Sequence, residues 1–281
     1  MNLATARVLV TGASGGIGAA IVREIVAKGG SALITGRDER TLRALAHEVD
    51  PGGNSVSVHC ADIAEPDERR GLQERARSWL GGVNVIINNA GVAAAGMFVD
   101  AKTEDVEHAF DVNVMAPMHL CRGLLEHLQR QPSAHVVNVG SVLGAIGYPG
   151  QTVYCATKFA LRGFTEALRR ELDDSNVRVH YVAPRATRTH FNDAKVDHLN
   201  ARLKVSVDPP ERVATQVCRV LEREQARATL GWPERVFVRI NDVAPWLVDR
   251  SLSRQLAVIR ESFAPAPLES PPRESLLRRA R

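Results

Sequence analysis

Residues 7–18 read RVLVTGASGGIG, and the folding of this stretch decides the architecture. Arg7 to Thr11 carries consecutive apolar, mostly β-branched side chains, which fits a strand buried on both faces. From Gly16 to Lys28 the spacing changes, and Ile17, Ile21, Ile25 and Val26 share one side of an amphipathic helix. Between strand and helix lies the turn Thr11-Gly12-Ala13-Ser14-Gly15-Gly16-Ile17-Gly18, which is poor in side chains. Such a turn lets the backbone approach a diphosphate, while the helix N-terminus supplies unpaired N–H groups and a favourable dipole. The spacing is not the familiar GxGxxG, so an ordinary glycine-rich turn competes with this reading. Its place after the first strand of a βαβ unit favours the phosphate-binding one.

Outward from this turn, short β-branched runs alternate with longer helical patterns. Strands are expected at Ala32–Thr35, Val56–His59, Val83–Ile87, His135–Val139 and Val177–Val182. Helices are expected at 38–49, Pro66–Leu80, Thr103–Leu128, Tyr154–Leu172 and Pro210–Glu224, with Pro117 kinking or dividing the fourth pattern. The alternation predicts an α/β fold, a doubly wound parallel sheet with helices on both faces. From Pro184 to about Val207 the pattern gives way to polar and basic residues, which predicts a mobile loop acting as a lid at about 184–207. Residues 1–230 then form one domain. Residues 231–281 form an amphipathic, arginine-rich extension whose last stretch, APAPLESPPRESLLRRAR, is proline-rich and expected to fray.

The chain has 281 residues, 44% apolar and 24% charged, which is globular composition and enough for one large α/β domain. A net charge of +4 is too small to require a nucleic-acid partner, and none is expected. Cys60, Cys121, Cys155 and Cys218 have neither a CxxC nor a metal-ligand spacing, so reduced thiols and no metal site are expected. His180, His190 and His198 likewise lack ligand spacing. The N-terminal residues MNLATARVLVTG lack the pattern of a secretion signal. No run approaches the ~18 uninterrupted apolar residues of a spanning helix. A cytoplasmic protein is the expectation.

Where a dinucleotide site of this kind places an acid to hold the ribose 2′-hydroxyl, the chain reads Thr35-Gly36-Arg37. A planar guanidinium at Arg37 suits a 2′-phosphate and stacks on adenine, so NADP(H) is the expected cofactor. Asp62, in CADI, either accepts a hydrogen bond from the adenine amino group or caps a helix. Tyr154 and Lys158, in YCATK, are four apart and share a helix face, where an ammonium would favour the phenolate. Ser141 follows the fifth strand, at the end of the sheet where ligands bind in open parallel sheets.

With these residues in place the sequence resembles the short-chain dehydrogenase/reductase family over residues 5 to about 230. The resemblance rests on TGASGGIG at 11–18, NNAG at 88–91, Asn113 in DVNV, Ser141 in NVGS and YCATK at 154–158. It implies a Rossmann-type sheet of about seven strands, hydride transfer between a nicotinamide and a small-molecule carbonyl or alcohol, and a homodimer or homotetramer. It also implies roles. Ser141 would hydrogen-bond the substrate oxygen and Tyr154 would give or take its proton. Lys158 would lower the tyrosine pKa and hold the nicotinamide ribose, and Asn113 would anchor a water leading to the lysine. Gly12, Ser14, Gly15, Gly16, Ile17 and Gly18 would cradle the diphosphate, and Asn89, Ala90 and Gly91 would line the adenosine-ribose side. Pro184, Thr187 and Thr189 would close over the nicotinamide.

One departure is clear: Arg185 stands where family members usually carry glycine, and either points to solvent or meets an acidic group on the substrate. Met97, Phe98, Val142, Leu143, Ile146, Tyr148 and Phe191 either line an apolar pocket for an acyl, alkyl or ring ketone or pack the lid on the body. A catalytically retired NADP(H)-sensing protein is the alternative to an enzyme, and the presence of all four of Asn113, Ser141, Tyr154 and Lys158 argues against it. In the extension, Leu252, Leu256, Ile259 and Phe263 form a stripe preceded by Trp246 and Leu247 and flanked by Arg250 and Arg254. The stripe packs on protein or, alternatively, makes a peripheral contact with anionic membrane.

Overall fold

A computed structural model describes residues 1–264; the proline-rich end predicted to fray lies outside them. Seven parallel strands form one sheet in the order β3-β2-β1-β4-β5-β6-β7. They span Arg7–Thr11 (β1), Ser31–Gly36 (β2), Val56–Cys60 (β3), Val85–Asn88 (β4), Ala134–Val139 (β5), Val177–Ala183 (β6) and Arg227–Thr229 (β7). Alternate side chains feed opposite faces, because Cβ direction reverses at each strand residue. Val8, Val10, Val85 and Ile87 enter one core, with Ile21 and Ile25 of helix α1 (Gly16–Ala27). Leu42 of α2 (Glu39–Val49) and Val217 of the later helix Pro210–Arg223 join them. Leu9, Ile86 and Val136 enter the other, against α3 (Pro66–Ser78) and the helix Ala116–Gln129. Burial on both faces explains why these strands read as unbroken apolar runs. Strand order reverses between β1 and β4, and a crevice opens there at the strands' C-terminal ends.

The pattern at 103–128 resolves into α4 (Thr103–Phe110), a π-helical turn (Asp111–Met115) and α5 (Ala116–Gln129). Pro117 lies in the first turn of α5, where its missing N–H costs least, and the backbone widens one turn earlier instead. The carbonyl four residues before it, that of Asn113, therefore cannot receive the usual helical N–H. Helix α6 (Thr152–Glu171) runs beside the crevice.

The segment expected as an unstructured lid contains a helix, α7 (Ala194–Arg202), whose N-terminus is capped by the Asp193 carboxylate accepting from Val196 N at 2.8 Å. It was hidden because only Val196 and Leu199 are buried, too few for a periodic signal. Helix α8 (Pro210–Arg223) follows, and then β7, three half-buried residues too short to register as a run. The extension forms α9 (Glu234–Val243) and α10 (Pro245–Phe263). Ile259 and Phe263 of the predicted stripe are buried with Val196 and Leu199 in a third small core. Leu252 and Leu256 are half-buried, and Trp246 is 63% exposed. The far end of the stripe thus packs on protein. No described helix is long and apolar enough to cross a membrane. His180 is structural: buried on β6, it lies 3.0 Å from His135 and 2.7 Å from the Gln225 carbonyl.

Candidate active site

A cleft of about 750 Å³ runs across the C-terminal ends of β1, β4 and β5, roofed by residues 184–205. Its floor begins at the glycine turn. Gly12 sits at φ +64°, and a Cβ there would lie 2.8 Å from the Ala90 backbone, so only glycine fits without displacing the neighbouring strand's loop. Gly15 caps α1 and no side chain satisfies the first-turn N–H groups, which leaves them for an anion. Ser14, Gly15, Gly16 and Ile17 line the cleft, but Gly18 does not: it packs beneath the turn, where a Cβ would meet the Gly12 carbonyl at 2.2 Å. Asn89 fastens the turn from the side, its Nδ2 donating to the carbonyls of Thr11 (3.0 Å) and Gly12 (3.1 Å). The Thr11 hydroxyl accepts from the N–H groups of Asn89 and Ala90.

At the adenosine end, Arg37 lines the cleft, exposed and without an ion pair among the described residues. The nearest following acid, Asp38, is occupied as the cap of α2, accepting from Thr41 N at 3.2 Å. Asp62 also lines the cleft but caps no helix: its Oδ1 accepts from Ala64 N, and α3 starts beyond it at Pro66. These residues fit a dinucleotide: free helix N–H groups and close glycine backbone for the diphosphate, and an unpaired guanidinium for a 2′-phosphate.

The other end holds the reactive groups. Ser141 caps a short 3₁₀ turn, its Oγ accepting from Leu143 N at 3.1 Å, so its proton is free to be donated into the cleft. Tyr154 lines the same cleft beside it. Lys158, 4% exposed, donates to the Val139 carbonyl at 3.3 Å and holds its Nζ 5.6 Å from the Tyr154 ring centroid. Burial lowers the ammonium to about 8. It also pushes the Tyr154 hydroxyl above its ordinary value, more than the nearby Ser141 hydroxyl lowers it. This differs from the expected lowering of the phenol by its lysine, because desolvation at this depth dominates. The phenol is therefore held in its protonated form.

Asn113 lies in the π-helical turn with its side chain committed to protein: Oδ1 accepts from Val92 N at 2.8 Å, and Nδ2 donates to the Val92 carbonyl and to Thr157 Oγ1. It fixes the strand exit where Gly91 and Val92 line the cleft.

From the roof, Thr189 closes on the glycine turn, a Cβ at Gly16 falling 2.6 Å from its Cγ2. Pro184 and Thr187 also line the cleft, and Thr187 is anchored by donating to the Arg185 carbonyl at 2.9 Å. Phe191 tilts over Tyr154, with ring centroids 5.8 Å apart. Arg185 does neither thing expected of it. It turns back to its own chain, bonding Asp208 at 2.7 Å and Glu234 at 3.2 Å. Of the apolar candidates, Val142, Leu143, Tyr148 and Phe191 line the cleft, whereas Met97 packs in the third core and Phe98 is exposed. Sequence reasoning missed Gln151, Leu199 and Asn200 as lining residues; only recognition of α7 would have brought in the last two.

A cradle for an anionic dinucleotide opening onto a serine–tyrosine–lysine cluster, on a Rossmann-type sheet, defines a nicotinamide-dependent oxidoreductase. Residues 6–200 match the family model described as short chain dehydrogenase. Nodulation protein G of Rhizobium meliloti (strain 1021) is 37% identical over 201 residues, 72% of this chain and 79% of that protein. Human 3-oxoacyl-[acyl-carrier-protein] reductase is 33% identical over 195 residues, 69% of this chain and 81% of that protein. A short-chain dehydrogenase from Sphingobium yanoikuyae, solved in complex with NADPH, superposes with a TM-score of 0.73 at 25% identity, covering 95% of this chain and 99% of that one. The chain belongs to the short-chain dehydrogenase/reductase family.

Because kcat/KM reports ionisations of the free enzyme, the lowered Lys158 should show in it. Below pH about 8 the ammonium is intact; above it the charge beside Tyr154 is lost. We expect kcat/KM for NADPH to be level below pH 8 and to fall above it in a pH-rate profile. A profile level to pH ~10, the ordinary lysine range, would contradict this assignment.

Proposed function

We propose that the protein is an NADPH-dependent carbonyl reductase, interconverting a ketone or aldehyde with its alcohol, on an apolar or acyl-type substrate. The observation that carries the reading is the convergence of Ser141 and Tyr154 in one cleft with a buried Lys158 whose Nζ lies 5.6 Å from the Tyr154 ring centroid. Ser141, its Oγ already accepting from Leu143 N, turns its proton to the substrate oxygen and fixes the carbonyl. Tyr154, kept protonated by burial, gives its proton to the same oxygen as negative charge develops there. Lys158 offers positive charge beside the phenol and remaining N–H donors to the ribose hydroxyls. Bound nicotinamide supplies the hydride to the carbonyl carbon. Gly12, Ser14, Gly15, Gly16 and Ile17 hold the diphosphate, Arg37 the 2′-phosphate, and Asn89 to Gly91 the adenosine ribose. Asn113 sets the path of the Gly91–Val92 backbone through its side chain, and its carbonyl, which cannot take the usual helical N–H from Pro117, would hold a water leading to Lys158.

Val142, Leu143, Tyr148 and Phe191 give the substrate end an apolar wall, and the likeness to a 3-oxoacyl reductase supports acyl-type carbonyls. Oxidation of NADPH by an acetoacetyl thioester, cyclohexanone and long-chain methyl ketones, followed by absorbance, tests the reading; no turnover with any of them counts against it. Cofactor choice has its own test. Arg37→Ala should reduce the preference for NADP(H) over NAD(H) by at least about tenfold, the scale of one charge-assisted hydrogen bond. An unchanged ratio of specificity constants would overturn the 2′-phosphate assignment.

A further inference from the structure

Beneath the serine lies a tyrosine that the proposed chemistry does not use. Tyr181, on β6 opposite Asn138 of β5, is 2% exposed, among the largest fully buried side chains of the protein. Its hydroxyl meets both backbone groups of Ser141, accepting from the N–H and donating to the carbonyl, each at 3.4 Å. The flanking residues bond β6 and its exit directly, Gly140 N to the Val182 carbonyl (2.7 Å) and Val142 N to the Pro184 carbonyl (2.9 Å). Among these three residues the Ser141 N–H alone takes a side chain as its partner, while its carbonyl also accepts from Gly144 N at 3.0 Å.

The turn is shaped to admit that side chain. A Cβ on Gly140 would lie 2.1 Å from Tyr181 Cζ and Oη, and one on Gly144 would lie 2.4 Å from Oη. Neither approach is possible for a real Cβ, so both glycines are needed for the phenol to sit where it does. Gly144 also rests on the Lys158 carbonyl, 2.8 Å from its own would-be Cβ, so this contact joins the serine turn to the helix carrying Tyr154 and Lys158.

We propose that Tyr181 is a positioning residue: with Gly140 and Gly144 it sets the height of Ser141 in the cleft, and so the distance between the serine and Tyr154 hydroxyls. The proposal rests on the reading of Ser141 as the group that holds the substrate carbonyl. Burial pushes the Tyr181 hydroxyl up to about 12, so it stays neutral and keeps both bonds over the working pH range.

The test is a double-mutant cycle read by single-turnover oxidation of NADPH with an acetoacetyl thioester. Tyr181→Phe keeps the ring and should slow hydride transfer about tenfold, the scale of one or two lost hydrogen bonds, with NADPH affinity unchanged within about twofold. In a Ser141→Ala background the same change should cost nothing further, because the group it positions is gone. Gly140→Ala should also slow the step, and adding Tyr181→Val, which vacates the contested space, should restore part of the rate. A merely structural role predicts a lower melting temperature with an unchanged rate, or an equal loss in both backgrounds, and either result overturns the proposal. Wild-type rates in Ser141→Ala alone would instead refute the reading of the catalytic site.

Discussion

Tyr154→Phe is expected to slow ketone reduction by about a hundred- to ten-thousandfold, the range of a lost general acid, while NADPH binding stays within about twofold of wild type. The change removes one oxygen and keeps the ring, so the packing of Phe191 over it survives. On the proposed chemistry it takes away the proton that reaches the substrate oxygen. The neighbouring Ser141 hydroxyl does not replace it, since an unperturbed alkyl hydroxyl is a much weaker acid than a phenol. Steady-state rates with an acetoacetyl thioester, beside fluorescence titration with NADPH, check both halves. Activity within about tenfold of wild type, ~1.4 kcal/mol of barrier, would remove Tyr154 from the role of proton donor.

Asp208→Ala should produce the largest loss of stability among changes outside the cores. The carboxylate is buried, 3% exposed, and takes hydrogen bonds from Arg185 at 2.7 Å and Arg212 at 2.9 Å. Burial alone would raise its pKa, but the two guanidiniums outweigh burial and hold it below the usual carboxylate range. Without it Arg185, itself 10% exposed, keeps only Glu234 and the Trp232 carbonyl, at 3.2–3.4 Å. Removing one partner of a buried pair costs about 3 kcal/mol or more, because the survivor keeps its desolvation penalty. For a chain of this size that is a fall of about 6–10 °C in melting temperature. Asp208→Asn, which keeps the volume and one acceptor, should lose less. A fall below about 2 °C in Asp208→Ala by calorimetry would show that the cluster is not a stabilising clamp.

Both experiments concern residues at opposite ends of what the sequence could convey. The sheet was legible because its strands are buried on both faces, so Val8 to Val10 and Val136, Val137 and Val139 stand out as apolar runs. The crevice groups were legible because glycine clusters, a Tyr–Lys pair four apart and a serine after a strand are local patterns. Strand β7 and helix α7 were not legible. Each buries little, and their places are set by pairing with β6 and by the third core, which are distant in sequence. Arg185 was the hardest to read. Its partners Asp208 and Glu234 lie 23 and 49 positions away, so no local pattern announces the cluster. Pro117 was read correctly as dividing the pattern; the division falls in the π-helical turn just before it, because proline withholds its N–H from the carbonyl four residues earlier.

Residues 187 and 208 pair as an isolated bridge, with Asp208 N donating to the Ala186 carbonyl and Arg188 N to the Asp208 carbonyl, both at 2.9 Å. The twenty or so residues between leave the body and return to it at a single point. Loop-closure entropy grows only slowly with length, about 0.6 kcal/mol per doubling, so such a segment behaves as an exchangeable cassette. Apart from Thr189 on the glycine turn, Phe191 on Tyr154 and the Val196 and Leu199 contacts with α10, its length and side chains can diverge without moving β6 or α8. On the proposed function, changes in this cassette that keep Thr189 and Phe191 would retune which carbonyl compounds are accepted. A chimera carrying a foreign segment between Thr187 and Asp208 is therefore a natural starting point for changing substrate range.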